Sequence, residues 1–209
     1  LLTWLKAYSL KTTSKFAKAA QQFKTLESQH LRDNVDILCS LAECHWQTGD
    51  SNNAKAVYKR VRSLDENCIQ GMDIYASLLA RDGEKLDLDS LAEELIGISE
   101  ERPEPWIAMA HSSSAGNKRT RAIYFSQKAH NMDTSNIQAL LTKGSLLSSL
   151  TRKNEAIDHY REVIRLSPFN YDGNKGLIQC YLGSNRHKEA LAVAKNAHKC
   201  LGTNARTLF

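Results

Sequence analysis

The sequence predicts an all-α protein built from repeated helical hairpins, and three observations support this prediction. The 209 residues include only 3 prolines and 10 glycines, fewer than a fold of many short strands and tight turns usually requires. Apolar residues recur at the spacing of α-helices, and strand-like alternation is nowhere sustained. An internal repeat of 34 residues runs along the chain, a period typical of stacked helical hairpins.

The repeat is clearest at a small residue in the second helix of each hairpin. Steps of 34 residues connect Ala54, Leu88, Ala122, Ala156 and Ala190. Four residues after this position, Tyr58 and Tyr160 place the same aromatic side chain in two of the hairpins. The sequence therefore predicts a single array of about six units, the first of them partial, at approximately 1–31, 32–66, 67–101, 102–134, 135–168 and 169–202.

Each unit contains two stretches of helical periodicity separated by a short polar break, such as Thr48–Ser51. Gly and Asn suit the left-handed residue that ends a helix, and Asp or Ser can cap the next one. Pro103 and Pro168 each follow a second helix, where the chain must turn. In chain order, helices are predicted near residues 33–47, 51–64, 67–81, 87–99, 103–114, 118–131, 135–150, 153–166, 169–182 and 186–200.

Charge and composition exclude several classes of function. The net charge of +5 is dispersed along the chain rather than gathered into a basic stripe, so no nucleic-acid partner is expected. The longest apolar runs, such as residues 190–194, are far shorter than a membrane span, so no membrane partner is expected either. The five cysteines are an odd set inside predicted helices, which favours reduced thiols. Because the chain does not begin with Met, we expect it to be part of a longer protein.

The segment from Gly144 through Ala156 and Tyr160 to Pro168 resembles the tetratricopeptide repeat, and Trp106 matches the early Trp of that pattern. The resemblance covers essentially the whole chain. It implies a right-handed superhelical solenoid whose concave face is lined by the first helix of each hairpin. The residues expected to pack the repeats together, with a purely structural role, are Ala54, Tyr58, Trp106, Ala122, Gly144, Ala156, Tyr160 and Ala190.

At a finer level, the segments Leu31–Asp36, Gly71–Tyr75, Leu78–Gly83, Glu104–Trp106 and Gly176–Leu182 look like those of the tetratricopeptide subunits of the anaphase-promoting complex. This resemblance implies a non-catalytic scaffold subunit of a ubiquitin ligase, nuclear and cytoplasmic, that supports cell-cycle-regulated ubiquitination. It also implies other tetratricopeptide subunits as partners, activator proteins as further partners, and a homodimer formed through repeats upstream of this chain.

The concave face is where partner contacts are expected. The candidate contacts are Asp36, Glu43, Asp73, Glu104, His111, Gln138 and Gln179. The acids concentrate in the N-terminal half, which favours a basic or arginine-bearing partner segment. The alternative is that these acids are ordinary solvated surface, because charged side chains are mostly exposed in any fold.

No catalytic, cofactor or metal motif is present in the sequence. It lacks a nucleophile elbow, a zinc-protease helix and a phosphate or dinucleotide loop. Cys39, Cys44 and His45 lack the second ligand pair that a zinc site needs, so packing is the preferred interpretation. The basic turns Lys118–Arg121 and Arg152–Lys153 are interpreted as solvated turns rather than as a phosphate site.

Two alternative functions stay open on the sequence alone. The first is a peptide receptor or co-chaperone module with the same fold, which the acidic concave face disfavours. The second is the repeat portion of a larger enzyme, such as a glycosyltransferase, because a solenoid fold does not itself specify a function.

Overall fold

The structure is a computed structural model that describes residues 2–29 and 32–201. Within these residues it contains twelve α-helices and no strand. The helices form two compact units, one ending at Asp82 and the other beginning at Gly83. Residues 1, 31 and 202, which bound two of the predicted repeat units, lie outside the described residues. The division into six repeat units stays a prediction.

The first unit contains five helices, and its chain order is α1 (Leu2–Thr12), α2 (Phe16–Gln29), α3 (Val35–Thr48), α4 (Ser51–Leu64) and α5 (Met72–Asp82). Helices α1 and α2 pack against each other, as do α3 and α4, and α2 also contacts α3. The buried core formed by α1, α2 and α3 includes Ala7, Ala19, Phe23 and Ile37. These short loops and successive contacts are those of helical hairpins.

The second unit contains seven helices: α6 (Lys85–Ile98), α7 (Pro103–Ala115), α8 (Arg119–Met132), α9 (Ile137–Ser149), α10 (Lys153–Leu166), α11 (Tyr171–Leu182) and α12 (His187–Leu201). The pairs α7–α8, α9–α10 and α11–α12 form hairpins. In addition, α7 contacts α9 and α9 contacts α11, so the first helices of these hairpins form one continuous layer within this unit.

Asparagine caps begin the first helix of three hairpins. The side-chain oxygen of Asn34 accepts a hydrogen bond from the backbone N–H of Ile37 at 3.1 Å, and Asn136 accepts one from Ala139 at 2.8 Å. Asn170 caps α11 in the same way. Each cap satisfies a backbone N–H that the first turn of a helix leaves free. The repeat therefore also includes the N-cap residue of the first helix.

The eight predicted packing residues all lie in the interior of their unit. Ala54, Tyr58, Ala122, Ala156 and Ala190 are each 2% exposed or less. The ring of Tyr160 lies between Gly144 and Gly176, where an added Cβ would come within 3.0 Å and 2.4 Å of the ring. Trp106 donates its indole N–H to the backbone carbonyl of Glu100 at 2.8 Å.

The ten predicted helices correspond to α3–α12 and agree with them except at one helix start, whereas no bounds were predicted for α1 and α2. The bounds of α4 and α10 are those predicted, whereas α5 begins at Met72 and not near residue 67. Residues 65–71 instead form turns, closed by hydrogen bonds from Cys68 N–H to Asp65 C=O and from Met72 N–H to Ile69 C=O. Gly71 has a φ of +75°, which a right-handed helix cannot contain.

Candidate functional site

Of the three candidate contacts in the first unit, Glu43 and Asp73 already interact with other groups of the protein. Glu43 on α3 forms an ion pair with Lys11 of α1, with a distance of 2.5 Å between Nζ and Oε2. Asp73 on α5 is only 8% exposed, and its carboxylate accepts a hydrogen bond from the N–H of Ile74. Asp36, in the first turn of α3, is exposed. Asp36 is therefore the candidate carboxylate in this unit that solvent reaches most freely.

In the second unit, Glu104 lies in the first turn of α7 and is 8% exposed. The guanidinium of Arg102 donates two hydrogen bonds to its carboxylate, at 2.6 Å and 3.2 Å. This bidentate pair offsets the negative charge locally. The sequence pattern did not identify Arg102, although its position two residues before Glu104 is a usable signal.

His111 connects α7 to α9. Its Nε2 lies 3.1 Å from the hydroxyl oxygen of Thr142, within hydrogen-bonding distance. Burial lowers the pKa of His111 to about 4, so the imidazole is neutral at physiological pH. His111 therefore contributes a neutral polar contact between two first helices. Thr142, which was not among the predicted site residues, is part of the same contact.

Gln138 and Gln179 differ in exposure. Gln138, in α9, is 6% exposed, and its side-chain Nε2 has no hydrogen-bond partner among the described residues. Gln179 lies on α11 and is exposed. Of the seven candidate contacts, Asp36 and Gln179 are therefore the two whose side chains are exposed.

Two further histidines meet in the second unit. The rings of His130 on α8 and His159 on α10 are arranged edge to face, with centroids 5.9 Å apart. Burial and the nearby Lys143 ammonium lower the pKa of His159 to about 4 and also lower the pKa of His130. Sequence periodicity gave no signal for this pair, because the two residues do not occupy the same position of the repeat.

The two basic turns of the second unit, Lys118–Arg121 and Arg152–Lys153, differ in how many contacts they make within the protein. Arg152 donates two hydrogen bonds of 2.7 Å to the carboxylate of Glu155, and Lys153 donates to the carbonyl of Gly183. Residues 117–121 line a shallow, open cleft of about 450 Å³. Arg121 also lies 5.6 Å from the centroid of the Phe125 ring. The basic side chains of the turn Arg152–Lys153 therefore interact with other groups of the protein.

Residues 2–29 and 32–201 contain no group of three or more His, Cys, Asp or Glu side chains that could hold a metal ion. In the same part of the chain, none of the helices has the length and apolar character needed to cross a membrane.

Comparison with known proteins identifies the repeat and several proteins to which the chain is similar. The family model described as tetratricopeptide repeat matches residues 35–68 and 137–170. The chain is 42% identical over all 209 residues to anaphase-promoting complex subunit 7 of Mus musculus and 41% identical to that of Homo sapiens. It spans 37% of the length of each. Subunit 7 of Arabidopsis thaliana is 27% identical over 86% of the chain and 32% of its own length.

The fold is also found in a solved structure. The crystal structure of the APC/C hetero-tetramer Cut9–Hcn1 contains a chain that matches with a TM-score of 0.80 and 17% identity. The match covers 90% of this chain and 36% of that one. The predicted all-α tetratricopeptide-repeat fold is confirmed, and so is the resemblance on which the sequence interpretation depended.

Proposed function

We propose that this tetratricopeptide-repeat protein is a non-catalytic scaffold and protein-interaction subunit of the anaphase-promoting complex. One observation carries the proposal: the similarity to subunit 7 extends over the whole chain at 42% identity in the mouse relative. The fold supports it, because a layer of adjoining first helices offers an extended surface for other proteins. In this role the chain contributes spacing and docking surface, while the ubiquitin-transfer chemistry belongs to other subunits.

The partners follow from the same proposal. Other tetratricopeptide subunits of the complex are the first expected partners, and activator proteins with basic or arginine-bearing segments are the second. We also propose that the intact subunit forms a homodimer through repeats outside this chain, and that it works in the nucleus and cytoplasm. Asp36 and Gln179 are the surface positions where we expect partner contacts, since both are exposed on first helices.

The test is affinity purification of the full-length protein from dividing cells, followed by mass spectrometry of the proteins recovered with it. We expect other tetratricopeptide subunits together with a cullin-like and a RING subunit. Recovery of chaperones instead would support the peptide-receptor alternative, and a chain continuing into a catalytic domain without ligase subunits would support the enzyme alternative. Either result would contradict the proposal.

A matched pair of charge reversals tests the surface. Asp36 and Asp87 are both exposed acids in the first turn of a helix. Asp36 is on α3, the first helix of its hairpin, whereas Asp87 is on α6, which the repeat pattern predicts to be the second helix of its unit. Reversal at either position loses the same favourable interaction with the helix dipole, about 0.3–1 kcal/mol. We therefore expect Asp36→Lys to reduce recovery of a partner while Asp87→Lys does not. Equal recovery with both variants would remove Asp36 from the proposed contacts.

A further inference from the structure

Two cysteines of the first unit meet in its interior although they are far apart in the sequence. Cys39 lies on α3, and Cys68 lies in the turns between α4 and α5. Their sulfur atoms are 3.9 Å apart, and the carbonyl oxygen of Gln70 lies 3.6 Å from the Cys39 sulfur and 3.9 Å from the Cys68 sulfur. Cys39 is 3% exposed and Cys68 is 8% exposed. The fold thus creates a thiol pair that cysteine spacing in the sequence does not reveal.

The other cysteines of the chain lack this arrangement. Cys44 is fully buried, and burial raises its pKa to about 12, which makes it an unreactive thiol. Cys180 lies 3.6 Å from the hydroxyl of Ser148, and Cys200 is exposed at the end of α12. Among the described residues, only Cys39 and Cys68 bring two sulfur atoms into contact.

The two thiols are chemically unequal. The hydrogen bond with Cys68, together with burial, raises the pKa of Cys39, so Cys39 holds its proton. The same hydrogen bond lowers the pKa of Cys68 to about 7, although burial acts in the opposite direction. Because thiolates are the nucleophilic form of cysteine, Cys68 is the sulfur that attacks and Cys39 is the sulfur that resolves.

We propose that Cys39 and Cys68 form an oxidation site at which a hydroperoxide converts the two thiols into a disulfide that joins α3 to the α4–α5 turns. The proposal is independent of the proposed function, because it concerns the chemistry of the first unit alone. The sulfur atoms must approach from 3.9 Å to the roughly 2.05 Å of a disulfide. Cys68 lies in the non-helical turns that precede α5, and disulfide formation requires a local shift of these turns.

The reaction balances in two steps. The Cys68 thiolate attacks the terminal oxygen of hydrogen peroxide, the O–O bond breaks, and the departing hydroxide takes a proton from solvent to give water and a Cys68 sulfenic acid. The Cys39 sulfur then attacks the sulfenic sulfur, so the S–S bond forms and the S–O bond breaks. The departing hydroxide takes the Cys39 proton and becomes the second water. The two thiols lose two electrons and the peroxide gains them.

The test is differential alkylation and peptide mapping of the folded full-length protein after brief exposure to hydrogen peroxide. Trypsin places Cys39 in the peptide 33–55 and Cys68 in the peptide 63–81. We expect alkylation at both cysteines to be lost together, a cross-linked pair of these peptides about 2 Da lighter than their sum, and recovery of both thiols after reduction. Oxidation confined to Cys200, or irreversible oxidation of Cys68 without a link, would overturn the proposal.

Variants assign the link and guard against a folding artefact. Cys44→Ser removes the other cysteine of the peptide 33–55 and should leave the cross-link intact, whereas Cys68→Ser should abolish it. The wild-type protein supplies a second readout that needs no variant: its oxidised form should melt at a higher temperature than its reduced form, since the cross-link restricts the unfolded chain. A link that forms only in urea, or a lower melting temperature on oxidation, would contradict the proposal.

Discussion

The hairpins α3–α4 and α9–α10 use the same sequence pattern but accommodate its tyrosine differently. Both begin after a capping asparagine, and both bury an alanine four residues before the tyrosine. In the second unit, Tyr160 lies between two glycines that are part of helices α9 and α11. In the first unit, Tyr58 lies against Gly71, a glycine with a φ of +75° outside any helix. The spacing shared by the two hairpins thus specifies the tyrosine, while the space for its ring is formed differently in each unit.

The largest expected effect comes from filling these spaces. A Cβ at Gly71 would lie 2.7 Å from the Tyr58 hydroxyl and would occupy a backbone conformation that L residues avoid. We expect Gly71→Ala to lower the free energy of unfolding by about 2–5 kcal/mol, the sum of a steric clash and left-handed backbone strain. Gly176→Ala, which adds the clash without the positive φ, should lower it by about 1–3 kcal/mol. Urea unfolding followed by circular dichroism measures both.

Gly97 provides the control for this pair. It lies inside α6, and a Cβ added there would meet no atom within 4 Å. Gly97→Ala should therefore raise the free energy of unfolding by about 0.5–1 kcal/mol, because alanine loses less conformational entropy in a helix. Equal destabilisation by all three substitutions would contradict the proposed difference in how Tyr58 and Tyr160 are packed against glycine.

The helix pattern was largely predictable from the sequence, and its one clear error has a tertiary cause. The repeat and its polar breaks gave the bounds of α4 and α10 directly. The late start of α5 was not predictable, because the turns at residues 65–71 depend on Gly71 lying against Tyr58, a contact between elements. No bounds were assigned to α1 and α2, because only a partial repeat unit was recognised before residue 32.

The candidate surface was less predictable than the fold. The spacing placed Asp36, Glu43 and Glu104 on first helices, as the structure does. Spacing does not reveal which charges are already paired: Lys11 reaches Glu43 from another helix, and Arg102 turns toward Glu104 only in the folded chain. The same limit applies to Cys39 and Cys68, whose contact depends on the path of the chain between α4 and α5.

The units also differ in their histidines: among the described residues, the lowered histidine pKa values all belong to the second unit. His111 gives the second prediction. The pKa of His111 in the second unit is lowered by burial to about 4, whereas an unfolded histidine titrates near 6.5. As the pH falls from 6.5 toward 4, the unfolded chain binds a proton that the folded chain does not, so stability is lost. This group alone should remove about 2 kcal/mol between pH 7.5 and pH 5.0.

The measurement is the difference in unfolding free energy between pH 7.5 and pH 5.0 for the wild-type protein and for His111→Gln. The glutamine keeps a polar group near Thr142 and does not titrate, so the variant should lose less stability on acidification than the wild type. His159 remains in both proteins and cancels in the comparison. An identical loss in both would show that His111 does not titrate as its burial requires, and would remove this difference between the units.

The smallest expected effect concerns the hydroxyl groups of the two tyrosines. Tyr58 is fully buried, and its hydroxyl has no hydrogen-bond partner among the described residues, whereas Tyr160 is 6% exposed. A buried hydroxyl without a partner costs about 1–3 kcal/mol, so Tyr58→Phe should leave stability unchanged or raise it by up to about 1 kcal/mol. Tyr160→Phe should change it by less than about 0.5 kcal/mol. Urea unfolding of both variants measures the two effects. A clear loss of stability with Tyr58→Phe alone would contradict this prediction, because it would mean that the Tyr58 hydroxyl has a hydrogen-bond partner in solution.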